Sequence, residues 1–134
     1  QPGRGLGLLR SACTLHDAVA CLVLGRAYFF GKGVRQDQKL GLRYFEGACR
    51  EEAPKACTYL AEIHERGQVV EKDLEKSADY RLRACALGEP TACLELGKRA
   101  AAGDVKHRDC RKAGYFYQRA CRFGAKSACR LSCG

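Results

Sequence analysis

Eight of the ten cysteines fall into four pairs of the form C-x7-C: Cys13/Cys21, Cys49/Cys57, Cys85/Cys93 and Cys121/Cys129. The pairs begin every 36 residues without a single insertion. A fixed period of about 20–50 residues is the mark of a solenoid or array, in which one supersecondary unit stacks on copies of itself. A chain of 134 residues holds three such units and a remainder, or one domain of ordinary size.

Aligning the units on the cysteines brings out the rest of the repeat. Alanine precedes each second cysteine (Ala20, Ala56, Ala92, Ala128), and Leu24, Leu60 and Leu96 follow it three residues later. Then come a glycine (Gly31, Gly67, Gly103), an aspartate (Asp37, Asp73, Asp109) and a small residue (Gly41, Ser77, Ala113). An aromatic (Tyr44, Tyr80, Phe116) and an alanine (Ala48, Ala84, Ala120) close the unit. Ala20, Leu24 and Tyr28 are four residues apart in succession, as are Ala56, Leu60 and His64, which is one face of a helix. The glycines stand where a helix ends in a left-handed residue. The aspartates stand where a second helix needs its free N–H groups capped. Each unit therefore reads as helix A, loop, helix B, with small residues where the two helices approach. The fold class is all-α.

The expected organisation is a partial helix B over 1–12, repeats over 13–48, 49–84 and 85–120, and a partial repeat over 121–134 that ends inside a helix A. Such ends suit a piece of a longer array, or a small protein with degenerate caps. Gln1 in first place suits a mature form or an excised fragment, and no signal-peptide pattern opens the chain. With 46% hydrophobic residues the chain can bury a core, which argues against disorder. It has no apolar run of the 18 or so residues that a membrane helix requires.

From Ala20 to Lys39 the chain reads A-C-L-V-L-G-R-A-Y-F-F-G-K-G-V-R-Q-D-Q-K, and this pattern resembles the Sel1-like repeat. The C-x7-C pairs resemble the disulfide-rich branch of that family, the Helicobacter cysteine-rich proteins. The resemblance implies a right-handed α/α superhelix related to tetratricopeptide arrays, a secreted or periplasmic setting, and a role in binding other proteins. Some members of the family are described as penicillin-binding proteins or weak β-lactamases, so it also implies a peptidoglycan-related or β-lactam ligand as the alternative. A mitochondrial intermembrane-space assembly factor shares the architecture, which makes that compartment the alternative location. Three residues depart from the pattern: Lys106 replaces the valine of Val34 and Val70, Arg81 replaces the aromatic of Phe45 and Tyr117, and His64 replaces Tyr28.

The cysteines admit disulfides or metal. Cys13 ends one helix and Cys21 begins the next, and antiparallel helices joined by so tight a turn bring the sulfurs together. Closing a loop of about nine residues contributes roughly 2–3 kcal/mol in the chain-entropy model. A zinc site would need closely spaced cysteines or histidine partners, and there is no C-x-x-C and only three histidines. Disulfides are therefore expected, with no metal and no cofactor, and with them an oxidising compartment. Cys110 and Cys133 fall outside the repeat. In regular antiparallel helices they would be offset by about 10 Å, beyond the reach of a bridge. A tail folding back would close it, an even cysteine count favours full pairing, and free or intermolecular thiols stay open.

No S-x-x-K, K-T-G, H-E-x-x-H or G-x-S-x-G motif is present, so catalysis is not expected and no catalytic residue is assigned. His64 reads as a packing residue, His16 as a turn residue and His107 as a loop residue. Recognition is the expected role. In tetratricopeptide-like arrays helix A lines the concave face, and its outward positions here are Leu22, Arg26, Phe29 and Phe30, then Thr58, Glu62, Glu65 and Arg66, then Leu94 and Lys98, with Ala101 and Ala102 after them. Phe29 or Phe30 could instead pack on a neighbouring helix. The basic excess lies at the two ends, +4 over 1–48 and +6 over 85–134 against −1 over 49–84, and forms no continuous stripe. Nucleic acid is therefore not an expected partner. A protein or peptide ligand is, an acidic peptide among the candidates, with an anionic envelope polymer or membrane surface as a second thought. A monomer is expected.

Overall fold

The structure, a computed structural model, describes residues 2–102 and 108–133, with side chains from Gly5 onward. Gly103, Lys106 and His107 lie outside the described residues. Among the described residues seven α-helices follow one another: α1 (Pro2–Thr14), α2 (Ala18–Phe30), α3 (Gln38–Arg50), α4 (Pro54–Arg66), α5 (Leu74–Ala86), α6 (Pro90–Ala101) and α7 (Cys110–Arg122). A short 3-10 helix, Lys126–Arg130, comes last. The described residues include no strand. The helices gather into two compact units, Gln1–Tyr80 and Arg81–Gly134.

Local chemistry sets where the helices begin and end. Gly31 and Gly67 terminate α2 and α4 in the left-handed conformation, at φ 70° and 72°. Their N–H groups donate to Ala27 and Ile63 carbonyls, which satisfies acceptors that the helix leaves open. Asp37, Asp73 and Asp109 cap the helix-B starts, accepting from the N–H groups of Leu40, Lys76 and Lys112 at 3.0–3.1 Å. The helix-A starts use other devices. Asp17 accepts from Val19 and Ala20 N–H groups, whereas α4 and α6 begin on Pro54 and Pro90, whose missing N–H is no loss in a first turn.

Between each helix B and the next helix A, one residue holds a positive φ: His16 at 69°, Glu52 at 68°, Gly88 at 96° and Gly124 at 111°. These positions are 36 residues apart. The left-handed residue reverses the chain tightly enough to place the flanking cysteines 4.7–4.9 Å apart at Cα, and all four C-x7-C pairs are disulfide-bonded.

In unit 1 the core is the shared face of α2, α3 and α4, with Leu24, Phe45, Ala48, Ala56 and Leu60 fully buried. Small residues let the helices close on one another. Gly41 lies against the Phe29 backbone, Gly25 lies under the Phe45 ring, and the Ser77 hydroxyl donates to the Ala61 carbonyl at 2.7 Å. His64 packs as a ring among these, 7% exposed and stacked on Tyr80 with centroids 5.5 Å apart. Its Nδ1 has no hydrogen-bond partner, and burial lowers its pKa, helped by Lys76 and opposed by Asp73 and Glu46.

In unit 2 the core is smaller: Ala84, Ala92, Ala113, Phe116, Tyr117 and Ala120, with Gly97 under the Tyr117 ring. Arg81, at the helix-B position of Phe45 and Tyr117, is only 6% exposed. The last segment corrects the expectation of a further helix A. After Gly124 the chain makes only the 3-10 turn, leaves it through Leu131 in an extended conformation, and forms no regular element over 131–133. That departure closes the fifth bridge, because the tail carries Cys133 back to Cys110 at a Cα separation of 5.0 Å.

Candidate partner-binding surface

Helix α2 differs from its counterparts in the later repeats. Arg26 is its one charged residue, and both of its sides are apolar. One side, with Ala20, Cys21, Leu24, Tyr28 and Phe29, is buried in unit 1. The opposite side carries Val19, Val23, Arg26 and Phe30, spaced i, i+4, i+7, i+11, with Leu22 beside them. Val19 is 68%, Val23 40% and Phe30 46% exposed. A helix that is apolar all round is one whose every face expects a neighbour. The corresponding positions are more polar in the later repeats, Lys55, Tyr59, Glu62 and Arg66 on α4, and Thr91, Glu95 and Lys98 on α6 with Ala102 after it.

Four rings bind the end of α2 to its neighbours. Phe29 and Phe30 meet edge to face at 5.1 Å, Phe29 leans on Phe45 at 5.8 Å, Phe45 stacks on Tyr59 at 4.8 Å, and Tyr59 returns to Phe30 at 5.9 Å. Of the four, Phe45 is fully buried and Phe30 the most open. Such pairs add to area burial and fix ring orientation, so Phe30 presents a positioned face rather than a loose side chain. Lys32 Nζ lies 5.9 Å from the same ring.

Phe29 corrects the sequence reading. It is 4% exposed, because Gly41 lets the α2 backbone approach α3 and turns the Phe29 side chain inward onto Phe45. Phe30 alone of that pair faces solvent. Leu22 is half-buried and Arg26 exposed on the same helix. Across the Phe30–Tyr59 contact, α4 adds Thr58, Glu62 and Glu65, all half-buried, and exposed Arg66. Thr58 is partly committed already, its hydroxyl donating to the Pro54 carbonyl at 3.3 Å. Half-buried Leu94 and exposed Lys98 belong to α6 of unit 2, as do Ala101 and the Ala102 that follows it. Val19, Val23 and Tyr59 belong to the unit 1 surface and were not anticipated. The i, i+4, i+11 spacing of the first two with Phe30 was the signal available.

The remaining chemistry is structural. Every described cysteine is in a disulfide. His16 Nδ1 lies 2.8 Å from Glu51 Oε1, a contact that ties the first turn to the end of α3. Among the described residues no cluster of side chains is arranged to hold a metal ion, and no helix is long and apolar enough to cross a membrane.

The sequence model of the Sel1 repeat matches residues 18–51, 54–89 and 90–122. Among the solved structures similar to this chain, three align with more than nine-tenths of it. A Sel1 repeat protein from Oxalobacter formigenes is 28% identical, with 95% of this chain and 96% of that one aligned at a TM-score of 0.84. Helicobacter pylori cysteine rich protein B is also 28% identical, over 96% of this chain and 92% of that one, at a TM-score of 0.69. The c5321 protein, a protective antigen of uropathogenic Escherichia coli, shares the fold at 22% identity and a TM-score of 0.73, over 92% of this chain and 27% of its own. No curated protein matches the chain significantly.

Proposed function

The chain belongs to the Sel1 repeat family, whose members serve as protein-interaction scaffolds, and we propose that it binds a protein or peptide partner through the open side of α2 together with the adjoining face of α4. The observation that carries this is the exposed apolar face of α2, with Val19, Val23 and Phe30 outside a helix whose other side is already buried. The partner segment supplies an apolar or aromatic side chain to Phe30 and Tyr59, and a carboxylate to Arg26. Arg26 is exposed beside these apolar side chains, and its planar guanidinium can take a carboxylate bidentately. The glutamates and Arg66 on α4 give the segment a second, polar register.

The five disulfides support an extracytoplasmic location, since such bridges persist in oxidising compartments and are scarce where thiols are kept reduced. They also suit a scaffold, because a rigid surface loses little conformational entropy when a partner docks.

Peptides selected by display against the folded, disulfide-bonded protein provide the test. Binders should lose roughly tenfold or more in affinity to the Val23→Ser/Phe30→Ser variant and should keep their affinity for Lys76→Ala, an exposed change on α5. Selected peptides that bind all three proteins equally would place the partner site elsewhere.

A further inference from the structure

Unit 2 carries a second surface with different chemistry. From Arg108 to Cys133 the sequence holds seven basic residues and one acidic residue, Asp109. Asp109 is already engaged in capping α7. On α7, Arg111, Lys112, Arg119 and Arg122 share one side with Tyr115, opposite the buried Ala113, Phe116, Tyr117 and Ala120. Among the described residues no carboxylate lies within ion-pair distance of any of these four cations. By contrast, α6 places Glu95 one turn before Arg99, at 3.8 Å. Arg119 and Arg122 lie in the last turn, where the helix dipole favours cations, but Arg111 and Lys112 lie in the first turn, where it disfavours them, so helix stability does not account for the whole face.

Two features give the face a shape. Arg119 is held between rings, its guanidinium 5.5 Å from Tyr115 and 5.3 Å from Phe123, with Nη1 donating to the Tyr115 hydroxyl at 3.3 Å. Beside the helix lies a cleft of about 460 Å³, lined by Tyr117, Leu131 and the Cys110–Cys133 and Cys121–Cys129 bridges, with Gln118 and Arg122 among its polar groups. That volume lies within the range of built ligand sites.

We propose that this face of unit 2 binds an acidic peptide segment of a partner protein. Carboxylates of the segment pair with Arg111 and Arg122, whose planar forks match them bidentately, while an apolar side chain enters the sulfur-walled cleft. A peptide fits better than a lipid surface. A flat headgroup layer would leave the cleft unused, and Tyr115 is the one exposed ring on the basic side of α7, too little for an interfacial helix. The inference does not rest on the α2 surface, since the two lie in different units.

Fluorescence anisotropy with a fluorescein-labelled peptide of three Glu-Leu-Glu-Gly repeats tests it on the oxidised full chain. The expected result is saturable binding that weakens with salt and falls roughly tenfold in Arg111→Gln/Arg122→Gln. The same peptide with Gln for Glu should not bind, and Lys76→Ala, which removes an exposed cation on α5, should bind the acidic peptide like the unaltered protein. Both arginines are exposed, so circular dichroism should show an unchanged fold. Equal binding by the double variant overturns the proposal. So does binding by the Gln peptide, or arginine-dependent sedimentation with phosphatidylglycerol vesicles without peptide binding, which would make a lipid surface the partner.

Discussion

Val69 holds the left-handed backbone conformation that Gly33 adopts one repeat earlier, at φ 66° against 77°. Glycine is at ease there, whereas a β-branched side chain crowds the following carbonyl at a cost of about 1–2 kcal/mol. Val69→Gly relieves that strain and gives back part of it as unfolded-chain entropy, so a net gain of roughly 0.5–1 kcal/mol is expected. A urea titration of the oxidised protein should show a higher midpoint with an unchanged slope. Gly33→Val should move the midpoint down.

The same comparison shows how far the sequence alone could be read. The period was legible because the C-x7-C pairs recur without insertion, and with it came the helix pairs, the Asp caps and the glycine C-caps. The left-handed turn position was not legible. Two of its four occupants, His16 and Glu52, are not glycine, and only the backbone reveals that they match Gly88 and Gly124. Phe29 was misplaced for a related reason. In a helix as uniformly apolar as α2, hydrophobicity carries no phase, and Gly41 on another helix decides which of two adjacent phenylalanines turns inward. The Cys110–Cys133 bridge depends on α7 being followed by a 3-10 turn and an irregular tail, a change of secondary structure that regular helix arithmetic could not supply.

Gly41 and Gly47 lie on the same helix and should respond oppositely to alanine. A Cβ at Gly41 would sit 2.6 Å from Phe29 N and 2.8 Å from its Cα, against backbone that moves only if α2 and α3 separate. Gly41→Ala should destabilise by about 1–3 kcal/mol. A Cβ at Gly47 meets nothing within 4 Å, so Gly47→Ala should stabilise by up to about 1 kcal/mol through helix propensity. Chemical denaturation of the two single variants checks both signs.

His64 should make stability fall in mild acid. Its pKa is lowered below the ordinary 6.5 in the folded chain, chiefly by burial. The unfolded chain therefore takes up the proton first as pH falls. The stability linked to neutral His64 is complete above the unfolded value and is lost as pH drops through the folded one. His64→Tyr restores the residue that Tyr28 supplies in the first repeat and removes this proton. Thermal midpoints at about pH 7.5 and about pH 5 should differ less in the variant than in the unaltered protein. An equal acid shift in both would assign it to other groups.

The five disulfides should not open together. Exchange requires a thiolate to reach a sulfur, so access orders the bridges before any difference in their intrinsic stability matters. In Cys49–Cys57 and Cys85–Cys93 every residue is at most 2% exposed. Cys110 and Cys129 are exposed, and Cys133 and Cys121, their partners, are half-buried. Cys13 is half-buried, while its partner Cys21 is buried. Limiting dithiothreitol at neutral pH should therefore open Cys110–Cys133 and Cys121–Cys129 first, Cys13–Cys21 next, and the two central bridges only as the helices themselves unfold. Alkylation at intervals followed by peptide mass mapping reads the order directly. The helical circular dichroism signal should survive the first two openings almost intact, because the 3-10 turn and irregular tail that they release contribute little to it. Early labelling of Cys57 or Cys93 would mean that the central turns open more readily than their burial implies.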